Sequence, residues 1–171
     1  NVGKSVVLCN NAIGSIAGNS GDSVGQDVLL ITYELDAIKT ALRCLGVVAR
    51  DIPIDQLQDH QEYINRVVRQ MQETYNKRFL IVEWPPDECS VANIYALLDS
   101  LRRTDNWKPD VVVVDYLDLM VSRNPEYNKD DYTRQKHVAN ELRGLAINED
   151  VLIFTATQTN RTAAGGGEEE L

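Results

Sequence analysis

No stretch of the 171 residues approaches the ~18 consecutive apolar side chains of a membrane-spanning helix, and the amino terminus lacks the basic-then-apolar layout of a secretory leader. No membrane role is therefore expected, and a cytoplasmic setting is the default. Cysteine is scarce: Cys9, Cys44 and Cys89 are far apart, odd in number and include no CxxC pair. That disfavours a disulfide framework and a zinc site, and leaves buried free thiols as the expectation. Positive charge is also short. A net charge of −9 argues against a general electrostatic grip on nucleic acid, so any such contact has to be local. What is present, 43% hydrophobic and 25% charged residues, is the composition of an ordinary globular domain with a sizeable core, which excludes disordered and collagen-like classes.

The most informative stretch is Asp110-Val-Val-Val-Val-Asp-Tyr-Leu-Asp-Leu-Met120. Four consecutive valines are too few for a helix and too apolar for a loop, and their β-branching suits a strand buried on both faces of a parallel sheet. The strand ends on Asp115. An acid at the carboxyl end of a central parallel strand faces the crevice where open α/β sheets bind ligands, and in phosphate-loop nucleotidases that position supports magnesium.

Asn1-Val-Gly-Lys-Ser5 carries the last three residues of a GxxxxGK(S/T) phosphate loop: Gly3, Lys4 and Ser5. In that motif backbone N–H groups cradle phosphates, the lysine reaches the β/γ oxygens and the hydroxyl binds magnesium. The apolar residues Val6, Val7, Leu8, Ala12, Ile13, Ile16 and Ala17 follow at once and predict a helix whose amino terminus receives the phosphate. The first half of the motif is absent, so the sequence reads as starting inside it, with the preceding strand expected to lie outside.

Asp27 to Tyr33, with Val28-Leu-Leu-Ile31 at its centre, predicts a second buried strand ending on Glu34, an acid placed to polarise an attacking water or, equally, to start a helix. Asp36 is the expected cap of a helix burying Ile38, Leu42, Leu45 and Ala49. Asp55 with Gln58 resembles a capping pair ahead of a stripe of Leu57, Ile64, Val67, Val68, Met71 and Tyr75. Phe79 to Val82 is a short strand, Ser90 caps a helix facing Ile94, Leu97, Leu98 and Leu101 inward, and 122–131 reads as a loop. A helix from about Tyr132 to Ile147 carries Val138, Leu142 and Leu145, with His60 and His137 as surface residues. Val151-Leu-Ile-Phe154 is a further buried strand ending in Thr155-Ala-Thr-Gln158, whose neutral amide can sense a γ-phosphate. Gly165-Gly-Gly-Glu-Glu-Glu170 carries no core residues, and 162–171 read as a mobile loop or truncated tail.

The order of these signals is restrictive. In a parallel sheet with crossover helices all strand ends fall on one rim, so Lys4, Ser5, Glu34, Asp115 and Gln158 are expected to face one nucleotide. A GTPase competes formally through Asp22-Ser-Val-Gly25 and Asn128-Lys-Asp-Asp131, but neither follows an apolar strand as those motifs require.

Ile-Thr-Tyr-Glu34-Leu with Arg43 on the next helix, Val-Asp-Tyr-Leu-Asp-Leu-Met120, and Thr-Ala-Thr-Gln-Thr-Asn-Arg161 resemble the ordered motifs of DnaB-type hexameric replicative helicases. Asn1-Val-Gly-Lys-Ser5, Leu80-Ile-Val82, Tyr132-Thr133, and Glu141-Leu-Arg143 with Leu145-Ala146 are similar to the branch found in T-even-like tailed phages. The resemblance covers nearly the whole chain. It implies an α/β fold with a RecA-like core, a mostly parallel sheet with helices on both faces, here incomplete at both ends. It also implies a ring, expected to be hexameric, that binds ATP and Mg2+ and translocates on single-stranded DNA in the bacterial host cytoplasm, with primase as a candidate partner. By motif, Lys4 binds the β/γ-phosphate, Ser5 binds the metal, Asp115 supports it through water, Glu34 activates water, Gln158 links the γ-phosphate to the DNA loop, and Arg161 begins the DNA contact. The first glycines of the phosphate loop, the later DNA-binding stretch and the arginine finger are not in the sequence, so the fragment itself is expected to hydrolyse ATP poorly. A RecA-like recombinase or clock-type ATPase, and a non-catalytic nucleotide-binding assembly module, remain alternatives.

Overall fold

The valine strand forms as its composition predicts, and the rest of the domain is layered on it. A computed structural model describes residues 3–18, 25–49 and 52–158. Its four strands, β1 (Val28–Thr32), β2 (Phe79–Glu83), β3 (Val111–Asp115) and β4 (Leu152–Thr155), form one sheet in the order β2-β1-β3-β4. Every pairing is parallel, with Thr32 opposite both Glu83 and Asp115, and Val114 opposite Thr155. The carboxyl ends therefore share one rim, because parallel neighbours need crossover helices that return the chain to the opposite edge.

Side chains alternate across the sheet, and each face is sealed by its own helices. Val28, Leu30, Val111 and Val113 pack with Leu8, Cys9, Ala12 and Ile16 of α1 (Lys4–Ala17) and Cys44 of α2 (Ala37–Val48). Leu29, Ile31, Val112 and Val114 pack with Ile94, Leu98 and Leu101 of α4 (Val91–Asp105) and Val138, Leu142 and Leu145 of α5 (Asp131–Glu149). Both β1 and β3 are buried along their whole length, which is why their sequences are apolar without alternation. At the amino-terminal rim carboxylates join the strand starts: the Asp27 N–H donates to Asp110 Oδ2 at 2.9 Å and the Arg78 N–H to Asp27 Oδ1 at 2.6 Å.

Local chemistry sets the helix boundaries. Asp36 caps α2 by accepting from the Lys39 N–H at 2.7 Å, and Asp130 caps α5 from the Thr133 N–H. Ser90 forms a capping box with Asn93, whose side chain accepts from the Ser90 N–H at 2.8 Å.

Several expectations are corrected, among them the burial of the last strand: β4 pairs with β3 alone among the described strands, so Leu152 is 49% exposed and Ile153 to Thr155 are half-covered. The inward face of α1 is Ser5, Leu8, Cys9, Ala12 and Ile16, a 3.6-residue stripe that leaves Val6 and Val7 outside it, 43% and 56% exposed. Likewise α2 turns Thr40 and Cys44 inward, and Ile38, roughly 200° round the helix from Thr40 at about 100° per residue, is 74% exposed. Asp55 does not cap a helix. Pro53 holds the cap position of a 3-10 segment, Ile54–His60, and α3 (Gln61–Tyr75) follows directly. Within that stripe only Leu57 is buried, while Ile64, Val67, Val68, Met71 and Tyr75 are half-covered. His60 is exposed, whereas His137 is not free surface: its ring stacks on Tyr127 with centroids 3.5 Å apart, above a 3-10 turn at Pro125–Asn128 inside the expected loop. That loop is also tied to α5 by Glu141, which accepts from the Ser122 hydroxyl at 2.6 Å. Cys9 and Cys44 are buried free thiols and Cys89 is half-buried.

Two glycines predict opposite outcomes. A Cβ at Gly25 falls 2.0 Å from the Ile16 carbonyl oxygen, whereas one at Gly144 in α5 meets nothing within 4 Å. Urea denaturation is expected to show Gly25→Ala destabilised by about 1–3 kcal/mol through overpacking, and Gly144→Ala stabilised by roughly 0.5–1 kcal/mol. The reverse ranking contradicts the packing of α1 against the entry to β1.

Candidate active site

The carboxyl rim gathers the chemistry, beginning with the first turn of α1. Gly3 occupies the cap position and Lys4 and Ser5 open the helix, so free N–H groups and the positive end of the helix dipole point toward the rim. Ser5 and Asp115 are buried, 4% and 2% exposed, and the Ser5 hydroxyl lies against the Asp115 carboxylate. Burial pushes the Asp115 carboxyl up and the negative charge of Glu34 adds to this, while the Ser5 hydroxyl, Arg43 and Lys4 act in the opposite direction. These influences place Glu34, Arg43 and Lys4 within electrostatic reach of one carboxylate.

Glu34 sits in the bend after β1. Thr32 builds that bend: its hydroxyl donates to the Leu35 carbonyl at 2.9 Å and accepts from the Leu35 N–H at 3.2 Å. The Tyr33 N–H donates to the Asp115 carbonyl at 2.9 Å, tying the exit of β1 to that of β3. The Glu34 side chain is exposed on the rim, open to water.

Tyr116 follows Asp115 through a cis peptide and connects the remaining members. The Lys4 ammonium lies 4.2 Å from the Tyr116 ring centroid, a cation–π contact. The Tyr116 hydroxyl accepts from Gln158 Nε2 at 2.8 Å. Burial, with the nearby charges of Glu34 and Asp118, pushes that hydroxyl's pKa up. Asp118, buried in the 3-10 turn Leu117–Leu119, grips the end of β4: Thr157 Oγ1 donates to it at 2.8 Å and the Gln158 N–H at 2.6 Å. Arg134 of α5 steadies the turn by donating to the Asp118 carbonyl at 3.1 Å.

Gly3, Lys4, Ser5, Glu34, Asp115 and Gln158 are thus on one rim, and Arg161 lies outside the described residues. Sequence reasoning missed Tyr116 and Asp118. Both lie in the Asp-Tyr-Leu-Asp-Leu stretch that carries the family resemblance, one and three residues after a strand-terminal acid, but nothing in composition distinguishes them from core and turn residues.

A magnesium ion fits the oxygen donors present. Asp115 Oδ1 is buried with no hydrogen-bond partner among the described residues, and the Ser5 hydroxyl stands beside the same carboxylate. No group of three or more His, Cys, Asp or Glu that could hold a metal occurs among the described residues. A small donor set suits magnesium, which keeps waters and takes its other ligands from phosphates. A separate cavity of about 420 Å³, lined by Ile13, Leu45, Val68, Met71 and Phe79 among others, includes none of the rim residues.

A parallel sheet with helices on both faces, whose carboxyl rim joins a helix-initial Gly-Lys-Ser to a strand-terminal acid, defines an α/β domain with the RecA-like fold. The family described as DnaB-like helicase C terminal domain matches residues 1–168, and the chain belongs to that family. It is similar to a DnaB-like replicative helicase of Enterobacteria phage T4, 27% identical over 168 residues, covering 95% of this chain and 34% of that protein. Among solved structures it is similar to one described as an ATPase domain, with TM-score 0.67 and 17% identity over 95% of this chain and 55% of that one. It is also similar to a DnaB-like replicative helicase studied for its interactions with primase, with TM-score 0.62 and 17% identity over 83% of this chain and 35% of that one. The chain spans about a third of the length of its curated relative.

The grip of Asp118 predicts a measurable local effect. Hydrogen bonds to a charged group contribute roughly 1.5–3 kcal/mol, so Asp118→Ala is expected to speed hydrogen exchange of the Gln158 amide about tenfold or more, with the β3 amides unchanged. Unchanged protection at Gln158 contradicts the contact.

Proposed function

We propose that this chain is the ATP-hydrolysing motor of a replicative DNA helicase, working as a ring, a hexamer by family resemblance, that moves along single-stranded DNA. Membership of the DnaB-like family supports the reading, and the observation that carries it is the convergence of Lys4, Ser5, Glu34, Asp115 and Gln158 on one rim. The proposed setting is the cytoplasm of a phage-infected bacterium, with primase as a partner. Residues 1–171 form part of a RecA-like motor domain in this reading, and 162–171 lie outside the described residues.

The roles follow from the chemistry of each group. Backbone N–H groups at Gly3, Lys4 and Ser5 cradle phosphate at the positive end of α1, and the Lys4 ammonium neutralises the β/γ oxygens. The Ser5 hydroxyl and Asp115 would hold magnesium, which when bound would offset charge on the transferring phosphoryl group. Glu34, exposed to water on the rim, orients the attacking water and accepts its proton. Gln158 reads the γ-phosphate and passes its position to the segment that follows, where Arg161 begins contact with DNA. Net acidity is compatible with this, because the DNA contacts of a ring come from loops lining its channel.

Steady-state ATPase assays of the full-length protein test the reading. Single-stranded DNA is expected to raise turnover, and Glu34→Gln to lower kcat about 10²- to 10⁴-fold with nucleotide still bound. Turnover indifferent to DNA contradicts the helicase motor, and full turnover in Glu34→Gln removes Glu34 as the base.

A further inference from the structure

Tyr116 touches both ends of the triphosphate machinery, although neither the motif reading nor the family resemblance gives it a role. One face of its ring carries the Lys4 ammonium at 4.2 Å, and its hydroxyl holds the Gln158 side-chain amide at 2.8 Å. The Lys4 Nζ is buried and has no hydrogen-bond partner among the described residues, so the ring is the group observed to hold that charge. On the far side, Asp118 fixes the Gln158 backbone and the Thr157 hydroxyl, leaving the Gln158 side chain as the part free to respond. The ring itself is buried, so a displacement at one edge is passed to the other.

From this arrangement we propose that Tyr116 is a positioning residue coupling Lys4 to Gln158. The inference rests on the nucleotide-site reading above. A triphosphate offers Lys4 full negative charge, a stronger partner than a ring quadrupole, and so draws the ammonium away from the tyrosine. Loss of the cation changes the seat of the ring and thereby the hydrogen bond to Gln158. Arrival of nucleotide at the start of α1 is in this way reported at the end of β4, where the chain leaves toward its DNA-contacting segment. Asp118 supplies the fixed point against which the amide moves.

Tyr116→Phe isolates the coupling, because it keeps the ring under Lys4 and removes only the hydroxyl. In the full-length protein, affinity for a fluorescent ATPγS analogue with magnesium would be measured with and without a single-stranded oligonucleotide, alongside steady-state hydrolysis. In Tyr116→Phe the nucleotide affinity is expected to stay within about twofold of wild type, since the phosphate contacts remain. The factor by which the oligonucleotide changes that affinity is expected to fall toward one, and DNA-stimulated kcat to fall about tenfold with KM nearly constant. A purely structural role would instead reduce the number of competent sites and leave the coupling factor of those that remain unchanged. A wild-type coupling factor in Tyr116→Phe overturns the proposal, as does a parallel loss of affinity and turnover. Glu34→Gln separates the two levels of inference. If it binds nucleotide without turning over while Tyr116→Phe behaves as wild type, the site reading stands and the role of Tyr116 falls. Wild-type protein that binds no nucleotide ends both.

Discussion

The structure depends on burying one carboxylate at the end of a strand that is itself buried on both faces. β3 has no solvent-facing side, so Asp115 leaves the sheet already withdrawn from water, and the raised pKa of its carboxyl reflects that cost. Such a group needs partners, and the fold brings them from every direction on the rim: Ser5 from the first turn of α1, Lys4 beside it, and Arg43 from α2. Because the sheet is parallel throughout, the elements delivering them return to the same edge each time, so the topology performs the assembly without long functional loops.

Two kinds of contact hold the rim together, and they divide the labour. Backbone hydrogen bonds set the frame: the Tyr33 N–H on the Asp115 carbonyl joins β1 to β3, and the Leu117 N–H on the Ala156 carbonyl at 3.3 Å joins β3 to the end of β4. Side-chain contacts then tune what the frame presents, with Tyr116 between Lys4 and Gln158 and Asp118 beneath the glutamine. The valines and the helices over them anchor the strands, while the Tyr116 contacts of Lys4 and Gln158 lie at the carboxyl edge.

Much of this was legible from the residues alone, for a physical reason. A both-face-buried strand leaves a continuous apolar run, and a parallel sheet converts the order of such runs into a common rim, so Val28 to Ile31, Val111 to Val114 and the acids after them could be placed without coordinates. Caps were equally readable at Asp36 and Ser90, since their chemistry is local. Helix faces were less so. Val6, Val7 and Ile38 are apolar yet exposed, because which third of a helix faces the sheet is set by tertiary docking and composition alone does not report it. The stacking of His137 on Tyr127 and the positions of Tyr116 and Asp118 depend on contacts between residues 10 to about 110 positions apart, and a linear reading has no access to those.

Membership of the DnaB-like family and the geometry of the rim agree, but they bear on different questions: the first concerns ancestry and fold, the second which atoms can act together. The most direct test of the account is a ligand-bound structure of the full-length protein with magnesium and ATPγS. The γ-thiophosphate is expected at the first turn of α1, in contact with Lys4, with the metal beside Ser5 and Asp115, and with Glu34 and Gln158 turned toward the terminal phosphorus. A nucleotide lodged in the cavity beside Met71, or Glu34 directed away from the phosphates, would contradict it.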